Sequence, residues 1–438
     1  MKNLIYIVFA LVFLTILSCN KTEFDGVEYT SGTANFSNFI SFGDSYTQGL
    51  QDGGLHNEFG QQQNSYPAII AEQMGTNFVQ PLVSGTGSGY MHLQYRDGEI
   101  EVIKVYNDEI TTNDPDAIDY DPSYSTWADK SIKYNNLAVG GLNVRNVVAL
   151  TFTEEFENYV YIGGGAGPGL AWNGVQGEPI SSYGRFLDFG TINDRVEYIE
   201  HVANSNATFF TNWLGVNDAM GWAKSGGDEK GEAAKLTDPL DFRQKYDTIL
   251  DVFKTMGAQG VCATIHDFTE SPIFNTVTLE ALEKEIWIKE GADTTVIRLA
   301  VPEDLIMLTA SSLIKEGVGL TEENPLAHQH VLDRDEVVIA KNHINLLNNE
   351  IIASANAHGF PVVDMYGFMS TLTDGTYYDG VEYSVKFIEG GAFSLDGLHP
   401  NSRGYAIIAN EFMRVINENF GSTLAPVAVN NYIGIIFP

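Results

Sequence analysis

The sequence is poor in cysteine and in basic side chains. Its 438 residues include two cysteines, Cys19 and Cys262, and 24 lysines and arginines against 57 aspartates and glutamates. One cysteine ends an N-terminal leader and the other lies far inside the chain, so a framework of disulfides is excluded. The formal net charge of -33 excludes binding of nucleic acid through a basic surface and favours neutral or cationic ligands.

Long hydrophobic runs are equally scarce. The run over residues 4–17 follows Lys2 and precedes Ser18 and Cys19, and it is shorter than the ~20 residues that span a bilayer. A basic start, a short apolar stretch and a small residue at the end are typical of a signal peptide. The sequence therefore predicts a signal peptide over residues 1–18.

The leader ends in Ile16-Leu17-Ser18-Cys19, which resembles the lipobox of bacterial lipoproteins. The resemblance implies that Cys19 is acylated and begins the mature chain, which the acyl chains then hold to a membrane. It also implies a place in the bacterial cell envelope, at the outer membrane or the cell surface. Residues 19–35 would be the lipidated N-terminus and a polar tether. An ordinary signal peptide with a coincidental cysteine is the alternative.

Strand and helix patterns alternate after the tether. With 44% hydrophobic and 12% aromatic residues, the chain can build a full core. Short apolar runs predict strands at 39–42, 207–214, 260–265 and 360–364, and helical spacing predicts helices at 65–75, 342–358 and 402–420. This alternation is typical of a parallel sheet with helices on both faces. We predict one domain over 36–425, a tail over 426–438, and insertions at the catalytic face near 85–133, 150–200 and 225–340.

The first candidate for chemistry is Gly43-Asp44-Ser45, directly after the first predicted strand. A serine at the carboxyl edge of a parallel sheet is exposed, and the amides that follow it can face a developing negative charge. Serine becomes a nucleophile when a neighbouring base takes its proton. Taken alone, the tripeptide is equally typical of an ordinary loop.

The second candidate is Asp396-Gly397-Leu398-His399-Pro400, just before the last predicted helix. An aspartate three residues before a histidine can accept the Nδ1 proton and leave Nε2 as a base. Histidine suits this chemistry because its charge changes near neutral pH. Taken alone, the same residues are typical of a helix cap and a packed histidine.

Two further turns supply candidate donors for an oxyanion. Gly140-Gly141 closes a block that begins at Asn136, and Asn217 lies in a block that begins at Gly215. Both blocks follow apolar segments and are expected at the same edge of the sheet. Glycine amides and asparagine side-chain amides are neutral donors, and loss of one such donor typically costs about 3 kcal/mol of transition-state stabilisation. Each block alone is typical of a turn.

Together and in this order, the four blocks resemble those of the SGNH, or GDSL, hydrolase family. The pattern departs in two places, with Tyr46 where the family motif has leucine and with the doubled glycine Gly140-Gly141, where the spacing from Asn136 favours Gly141. The resemblance implies a three-layer α/β/α sandwich with a parallel, flavodoxin-like sheet. It also implies that no metal or organic cofactor takes part.

The same resemblance implies roles for the candidate residues. Ser45 would be the nucleophile, His399 the general base and acid, and Asp396 the residue that orients His399. The oxyanion hole would consist of Ser45, Gly141 and Asn217. An α/β-hydrolase is the poorer interpretation, because no serine of this sequence lies in a Gly-x-Ser-x-Gly block.

The expected activity is hydrolysis of carboxylic esters through an acyl-serine. The expected substrates are lipid esters or acylated carbohydrates, with short acyl chains favoured, and the expected membrane contact is through the N-terminal lipid. Two alternatives stay open: a non-catalytic surface lipoprotein that binds glycans on a hydrolase scaffold, and a thioesterase or lysophospholipase with the same catalytic residues. The sequence predicts no particular oligomeric state.

Three other clusters are weaker candidates for ligand sites. The glycine-rich stretch 163–169 lacks the ending of a phosphate-binding loop. The aspartates from Asp114 to Asp121 lack the spacing of a calcium loop, and His328 and His330 are a minority candidate for zinc.

The strand at 260–265 carries two further predictions. Its thiol, Cys262, is expected to be buried and inert. His266 and Asp267 end the strand at the catalytic edge and are predicted to line the pocket. Trp213 lies in the preceding strand and is predicted to pack in the core.

Overall fold

The computed structural model describes residues 29–82, 89–96, 98–105, 133–147, 170–172, 179–181, 198–231, 234–292 and 295–438. The predicted signal peptide, Cys19, the glycine-rich stretch 163–169 and the acidic loop from Asp114 to Asp121 lie outside these residues. Within the described part of the chain, no helix combines the length and the apolar character needed to cross a membrane.

The strands are β1 (Phe39–Gly43), β2 (Tyr90–Arg96), β3 (Glu99–Val105), β4 (Leu170–Trp172), β5 (Pro179–Ser181), β6 (Phe209–Trp213), β7 (Gln259–Ala263), β8 (Trp287–Lys289), β9 (Ile297–Leu299), β10 (Leu305–Ile306), β11 (Val331–Leu332), β12 (Val362–Val363), β13 (Thr376–Tyr378) and β14 (Val381–Tyr383). The α-helices are α1 (Ser45–Gln48), α2 (Tyr66–Met74), α3 (Val144–Val147), α4 (Tyr198–Ala203), α5 (Met220–Lys224), α6 (Pro239–Thr255), α7 (Pro272–Asn275), α8 (Leu279–Leu282), α9 (Ser311–Lys315), α10 (Arg334–His358), α11 (Met365–Ser370) and α12 (Ser402–Phe420).

The central sheet is parallel, with the order β1, β6, β7, β12. On the free side of β1, Ser41 forms a parallel bridge with Asn136, and the Leu137 amide donates to the Ser41 carbonyl. Counted as a strand, this segment is the second along the chain and the outermost in the sheet. The five strands then lie in the order second, first, third, fourth and fifth along the chain, as in flavodoxin-like folds. The carboxyl ends of all these segments meet at one edge, which carries the candidate residues.

Both faces of the sheet are covered by helices. Neighbouring residues of a strand point to opposite faces, and Phe209 packs against Phe420 of α12 at 5.2 Å between ring centroids, whereas Phe210 stacks on Phe253 of α6 at 3.9 Å. Helix α2 joins the first layer, and α10 packs against α6 in the second. The predicted three-layer α/β/α arrangement with a parallel sheet is confirmed.

Helix α6 corrects the insertion that the sequence predicted over 225–340. It begins at the Asp238 cap, connects β6 to β7, and buries one stripe in the main core, so it is part of the sandwich. The prediction is wrong for this segment because the other stripe of the helix is charged, which hides the core face from composition alone. The buried side chains of α6 are Phe242, Tyr246, Ile249, Leu250 and Phe253.

Residues 268–333 form a smaller layer beside the carboxyl edge of the sheet. It contains the hairpin β8–β9 and the pair β10–β11. Its contact with the sheet edge includes a hydrogen bond from the Ile273 amide to the Gly397 carbonyl, 2.8 Å long. The layer has an apolar cluster of its own, formed by Val277, Ile286, Ile288, Ile306, Ala310, Ile314, Leu326 and Val331.

Candidate active site

Ser45 begins α1, directly after β1. The turn between them needs a glycine at position 43, because a Cβ there would lie 2.6 Å from the Trp213 carbonyl oxygen of the neighbouring strand. Asp44 caps the short helix, and its Oδ1 accepts a hydrogen bond of 3.1 Å from the Tyr46 amide. The sequence therefore places the Ser45 hydroxyl at the carboxyl edge of the sheet and at a helix N-terminus.

His399 and Asp396 lie against Ser45 although 354 residues separate His399 from Ser45. His399 Nε2 is 2.9 Å from Ser45 Oγ, and His399 Nδ1 is 2.7 Å from Asp396 Oδ2. The carboxylate can only accept, so Nδ1 carries the proton and Nε2 accepts from the Ser45 hydroxyl. Ser45 and His399 are 7% and 8% exposed, so both residues are largely buried at this edge of the sheet.

Asp396 is surrounded by donors. Its Oδ1 accepts from the amides of Leu398 and His399, each at 2.8 Å, and from the Ser394 hydroxyl at 3.0 Å. Burial alone would raise the pKa of Asp396, but the neighbouring His399 and the amide donors outweigh it and hold that pKa below its usual range. The carboxylate is therefore charged at neutral pH and able to orient the imidazole.

A loop after α1 adds a contact that the motifs did not predict. The Gly53 amide donates to Asp396 Oδ2 at 3.0 Å, the same oxygen that faces His399. Next to it, Asp52 Oδ1 accepts from the Leu395 amide at 2.9 Å. The loop thus adds a backbone donor to the carboxylate, and nothing in the local sequence around Asp52 and Gly53 signals this partner.

The two glycines of the second block differ in their bonding. The Gly140 amide donates to Gln48 Oε1 at 2.9 Å, so it is engaged within the protein. Gly141 has a φ of +80°, a conformation that favours glycine, and no atom of the described residues lies within 4 Å of the position that a Cβ would take there. This difference favours Gly141, as the sequence does, as the backbone donor for a ligand.

Asn217 lies half-buried after β6, at the same edge. One hydrogen of its side-chain amide is donated to the Leu142 carbonyl at 3.0 Å, which leaves the second for a ligand. The next residue, Asp218, accepts from the Val144 amide at 2.8 Å. These bonds tie the turn that carries Asn217 to the segment that follows Gly141.

Asp218 is a buried carboxyl with structural partners. Besides Val144, it accepts a hydrogen bond of 2.6 Å from the Thr237 hydroxyl. Burial raises the pKa of Asp218 to about 6, and these hydrogen bonds oppose the rise. The sequence predicted a role in the site for Asn217 of this block and none for Asp218. The structure adds that Asp218 bridges Val144 and Thr237.

The structure corrects the predicted position of His266. The imidazole is 1% exposed and lies beneath Tyr46, with 4.7 Å between ring centroids, so it does not line an open pocket. Asp267 is also buried, where it caps a short 3-10 helix and faces Lys341 at 3.2 Å. Sequence position alone placed both residues at the right edge but could not show that the Tyr46 ring covers the strand end.

Two other predictions for this region are confirmed. Cys262 is a free, buried thiol, and burial raises its pKa to about 12, so it is unreactive at neutral pH. Trp213 is buried in the core, and its indole N–H donates to the Thr264 carbonyl at 3.1 Å.

The histidine pair of the smaller layer has an acidic neighbour. His328 Nε2 is 3.7 Å from Asp228 Oδ2, and His330 is part of the same short 3-10 helix. Among the described residues, no cluster of histidine, cysteine, aspartate and glutamate has the arrangement of a metal site.

The comparisons with known proteins point to one family. Residues 39–412 match the family model described as GDSL-like Lipase/Acylhydrolase. No curated protein matches the sequence significantly.

Solved structures also match the chain, at low similarity. One is an α/β hydrolase from the metagenome of Lake Arreo, Spain (10% identity, 88% of this chain and 96% of that chain, TM-score 0.38). Another is an extracellular lipase from Streptomyces rimosus (14%, 87% and 98%, 0.32), and a third is an acetylxylan esterase mutant from Geobacillus stearothermophilus (10%, 88% and 97%, 0.35). The family match alone spans most of the chain: the protein belongs to the GDSL-like lipases and acylhydrolases and is a hydrolase of ester bonds.

Proposed function

We propose that the protein hydrolyses carboxylic esters through an acyl-serine intermediate on Ser45. The observation that carries this proposal is the continuous chain of hydrogen bonds from Ser45 Oγ through the His399 ring to Asp396. A serine, a histidine and a buried charged aspartate in this geometry generate a nucleophile at neutral pH. The non-catalytic alternative predicts losses in this set, and the described residues retain all its members.

The mechanism uses the site residues in two steps. The Ser45 hydroxyl attacks the ester carbonyl carbon while His399 Nε2 takes its proton, and the resulting oxyanion is stabilised by the amides of Ser45 and Gly141 and the Asn217 side chain. His399 then gives the proton to the departing alcohol. In the second step His399 activates water, which attacks the acyl-serine, releases the acid and returns the proton to Ser45.

The substrate class is proposed from the charge of the molecule. A net charge of -33 repels anionic lipid headgroups, which favours neutral short-chain esters or acylated carbohydrates. A thioesterase or a lysophospholipase would use the same residues and differ only in the substrate. We further propose that acylation of Cys19 holds the enzyme in the bacterial cell envelope.

Hydrolysis of p-nitrophenyl acetate by the purified protein tests the proposed activity. Ser45→Ala should reduce kcat/KM by at least ~10³-fold, while its urea unfolding curve stays close to that of the unchanged protein. Ser37→Ala is the matched control, because this exposed serine precedes β1 at the opposite edge of the sheet. Unchanged turnover by Ser45→Ala would refute the proposal. A series of acyl chain lengths together with acetylated xylan then distinguishes the substrate classes.

A further inference from the structure

Tyr46, the residue after the nucleophile, lies between two histidines. It is 1% exposed, and its ring centroid is 5.0 Å from that of His399 and 4.7 Å from that of His266. The family motif has leucine at this position, which offers an apolar surface without a hydroxyl. The tyrosine therefore brings a polar group into the packed region directly beneath the catalytic histidine.

The Tyr46 hydroxyl has two partners in this buried region. It donates to the Leu398 carbonyl at 2.9 Å, and its oxygen is 3.0 Å from His266 Nε2. A carbonyl cannot donate and a hydroxyl has one hydrogen, so His266 must donate its Nε2 proton to the Tyr46 oxygen. Burial lowers the pKa of His266 to about 4, and the ring is accordingly neutral at pH 7, with its single proton on Nε2.

The Leu398 carbonyl belongs to the loop that carries both catalytic partners of Ser45. Leu398 precedes His399 directly, and its own amide donates to Asp396 Oδ1 at 2.8 Å. A bond to its carbonyl therefore restrains the peptide unit between Leu398 and His399. The path from His266 through the Tyr46 hydroxyl ends at the backbone of the catalytic base.

His266 is itself held rigidly. Ile265, the residue before it, is clamped by Asn348 of α10, which accepts from the Ile265 amide at 2.7 Å and donates to its carbonyl at 2.8 Å. Asn348 thus fixes the main chain directly after β7, where the pairing with β12 ends. The donor that faces Tyr46 is fixed by the sheet and by a long helix.

We infer that Tyr46 is a positioning residue, whose hydroxyl, oriented by His266, fixes the Leu398–His399 peptide and so aligns His399 with Ser45. This inference rests on the proposed function, and it concerns only the hydroxyl, because the ring alone also fills space. Misplacement of a reacting group by about 1 Å can cost ~10²-fold in rate. Loss of the hydroxyl bond should therefore lower kcat and leave substrate binding nearly unchanged.

Steady-state kinetics of Tyr46→Phe test the inference. This variant keeps the ring and should lower kcat by about 10- to 100-fold, with KM within about twofold. Tyr383→Phe is the matched control, since Tyr383 is also 1% exposed and its hydroxyl bonds Asn430 at 2.6 Å, away from the catalytic residues, and its kcat should not change. A kcat for Tyr46→Phe equal to that of the control would overturn the inference.

Two substitutions of His266 distinguish its role as a hydrogen-bond donor from its role in packing. His266→Gln keeps an N–H near the Nε2 position and should retain kcat within about threefold. The kcat of His266→Leu should fall as far as that of Tyr46→Phe. In the double variant Tyr46→Phe/His266→Leu the losses should not multiply, because both single changes break one path. Multiplied losses, or equal kcat for His266→Gln and His266→Leu, would contradict a shared path.

A measurement that needs no turnover distinguishes failure of this inference from failure of the proposed function. Imidazole ¹⁵N chemical shifts should show His266 neutral, with its proton on Nε2, and the His399 Nδ1 proton should shift in Tyr46→Phe but not in Tyr383→Phe. A proton on His266 Nδ1, or an unchanged His399 signal, would refute the positioning role. Lack of ester hydrolysis by the unchanged protein would refute the proposed function instead.

Discussion

Asp44 is a buried carboxyl one residue before the nucleophile. Its side chain caps α1 by accepting from the Tyr46 amide, and it is 2% exposed. Burial raises the pKa of Asp44 to about 8, with the capping hydrogen bond acting against the rise. At neutral pH the group is therefore mostly protonated, and the aspartate of the Gly-Asp-Ser motif contributes shape and a cap more than charge.

Substitution of Asp44 by asparagine tests whether this carboxyl is protonated in the folded protein at neutral pH. The folded-state pKa of about 8 lies above the usual 3.8, so the unfolded chain loses the proton first as the pH rises. The stability of the unchanged protein should therefore fall between pH 4 and pH 8, by up to about 1.4 kcal/mol per pH unit from this group. Asparagine can keep the cap but cannot titrate.

Urea unfolding of both proteins between pH 4 and pH 9 measures the effect. The difference in free energy of unfolding, Asp44→Asn minus unchanged protein, should grow with pH and level off above pH 8. Titrating groups that do not interact with Asp44 are common to both proteins and cancel in the difference. A difference that does not vary with pH would show that Asp44 is ionised in the folded state.

Residues of the site could be predicted from the sequence where they lie in a short motif with fixed internal spacing. Ser45, Asp396 and His399 were identified from short blocks with strict internal spacing, and the structure brings these residues together. Gly53 and the Tyr46–His266 pair were not predicted as partners of that site. Their contacts join segments hundreds of residues apart, and a single sequence holds no local signal for such a contact.

Among the elements, α10 links the second helical layer to the catalytic edge. Asn348 lies near its middle and is buried, and its side chain replaces a strand as the hydrogen-bonding partner of Ile265. A polar residue on the buried face of a helix is unusual, and here it satisfies a main chain that leaves the sheet. The helix therefore positions His266 as well as covering the sheet.

Asn348→Ala should lower both stability and activity. It leaves the buried amide and carbonyl of Ile265 without this partner, which should cost about 2–4 kcal/mol in the free energy of unfolding. If His266 acts as inferred, kcat should also fall, by about tenfold. Asn410→Ala is the matched control, because Asn410 makes the same pair of bonds to the Val427 main chain.

Urea unfolding and steady-state kinetics of both variants separate the two effects. Both should be destabilised, and only Asn348→Ala should lose kcat under conditions where each protein is fully folded. An unchanged kcat in Asn348→Ala would show that the end of β7 does not need this clamp for catalysis.

Elements with a strong apolar period and clear end signals were predicted well. The helix predicted at 402–420 is observed as Ser402–Phe420, with a Gly421 cap, and the helix predicted at 342–358 ends as expected but begins eight residues earlier, at Arg334. The early turns of α10 expose Val338 and Ile339 to solvent and bury Glu336, so the apolar period of these turns is weak. Helix α6 was missed for a different reason: its buried residues recur at helical spacing, but its opposite stripe is charged and the segment was interpreted as an insertion.

At the scale of the whole molecule, a smaller layer with its own apolar cluster lies beside the edge of the sheet that carries the active site. Residues 268–333 contribute this layer, and the Ile273–Gly397 bond joins it to the loop of the catalytic acid. The sequence predicted additional chain in this region from its poor fit to strand and helix patterns. It could not show that the addition has its own core, because short strands such as β8 to β11 have no distinct sequence period.

We propose that the N-terminal cysteine, Cys19, determines where the enzyme works. If Cys19 is acylated, the full-length protein should sediment with membranes when it is expressed in a bacterium with lipoprotein processing, and Cys19→Ala should move it to the soluble fraction. Cys262→Ala is the matched control, since the other thiol is buried in the sheet, and it should stay with the membranes. Persistence of Cys19→Ala in the membrane fraction would argue against a lipid anchor.

Reaction with a fluorophosphonate tests the role of Ser45 most directly. The Ser45 oxygen should attack phosphorus and displace fluoride, which leaves one phosphonyl group per molecule on the peptide that contains Ser45, as measured by intact mass and peptide mapping. His399→Ala should slow the labelling strongly, because the proton acceptor 2.9 Å from Ser45 Oγ is lost. A label on another serine, or no label on a protein that still hydrolyses esters, would contradict Ser45 as the nucleophile.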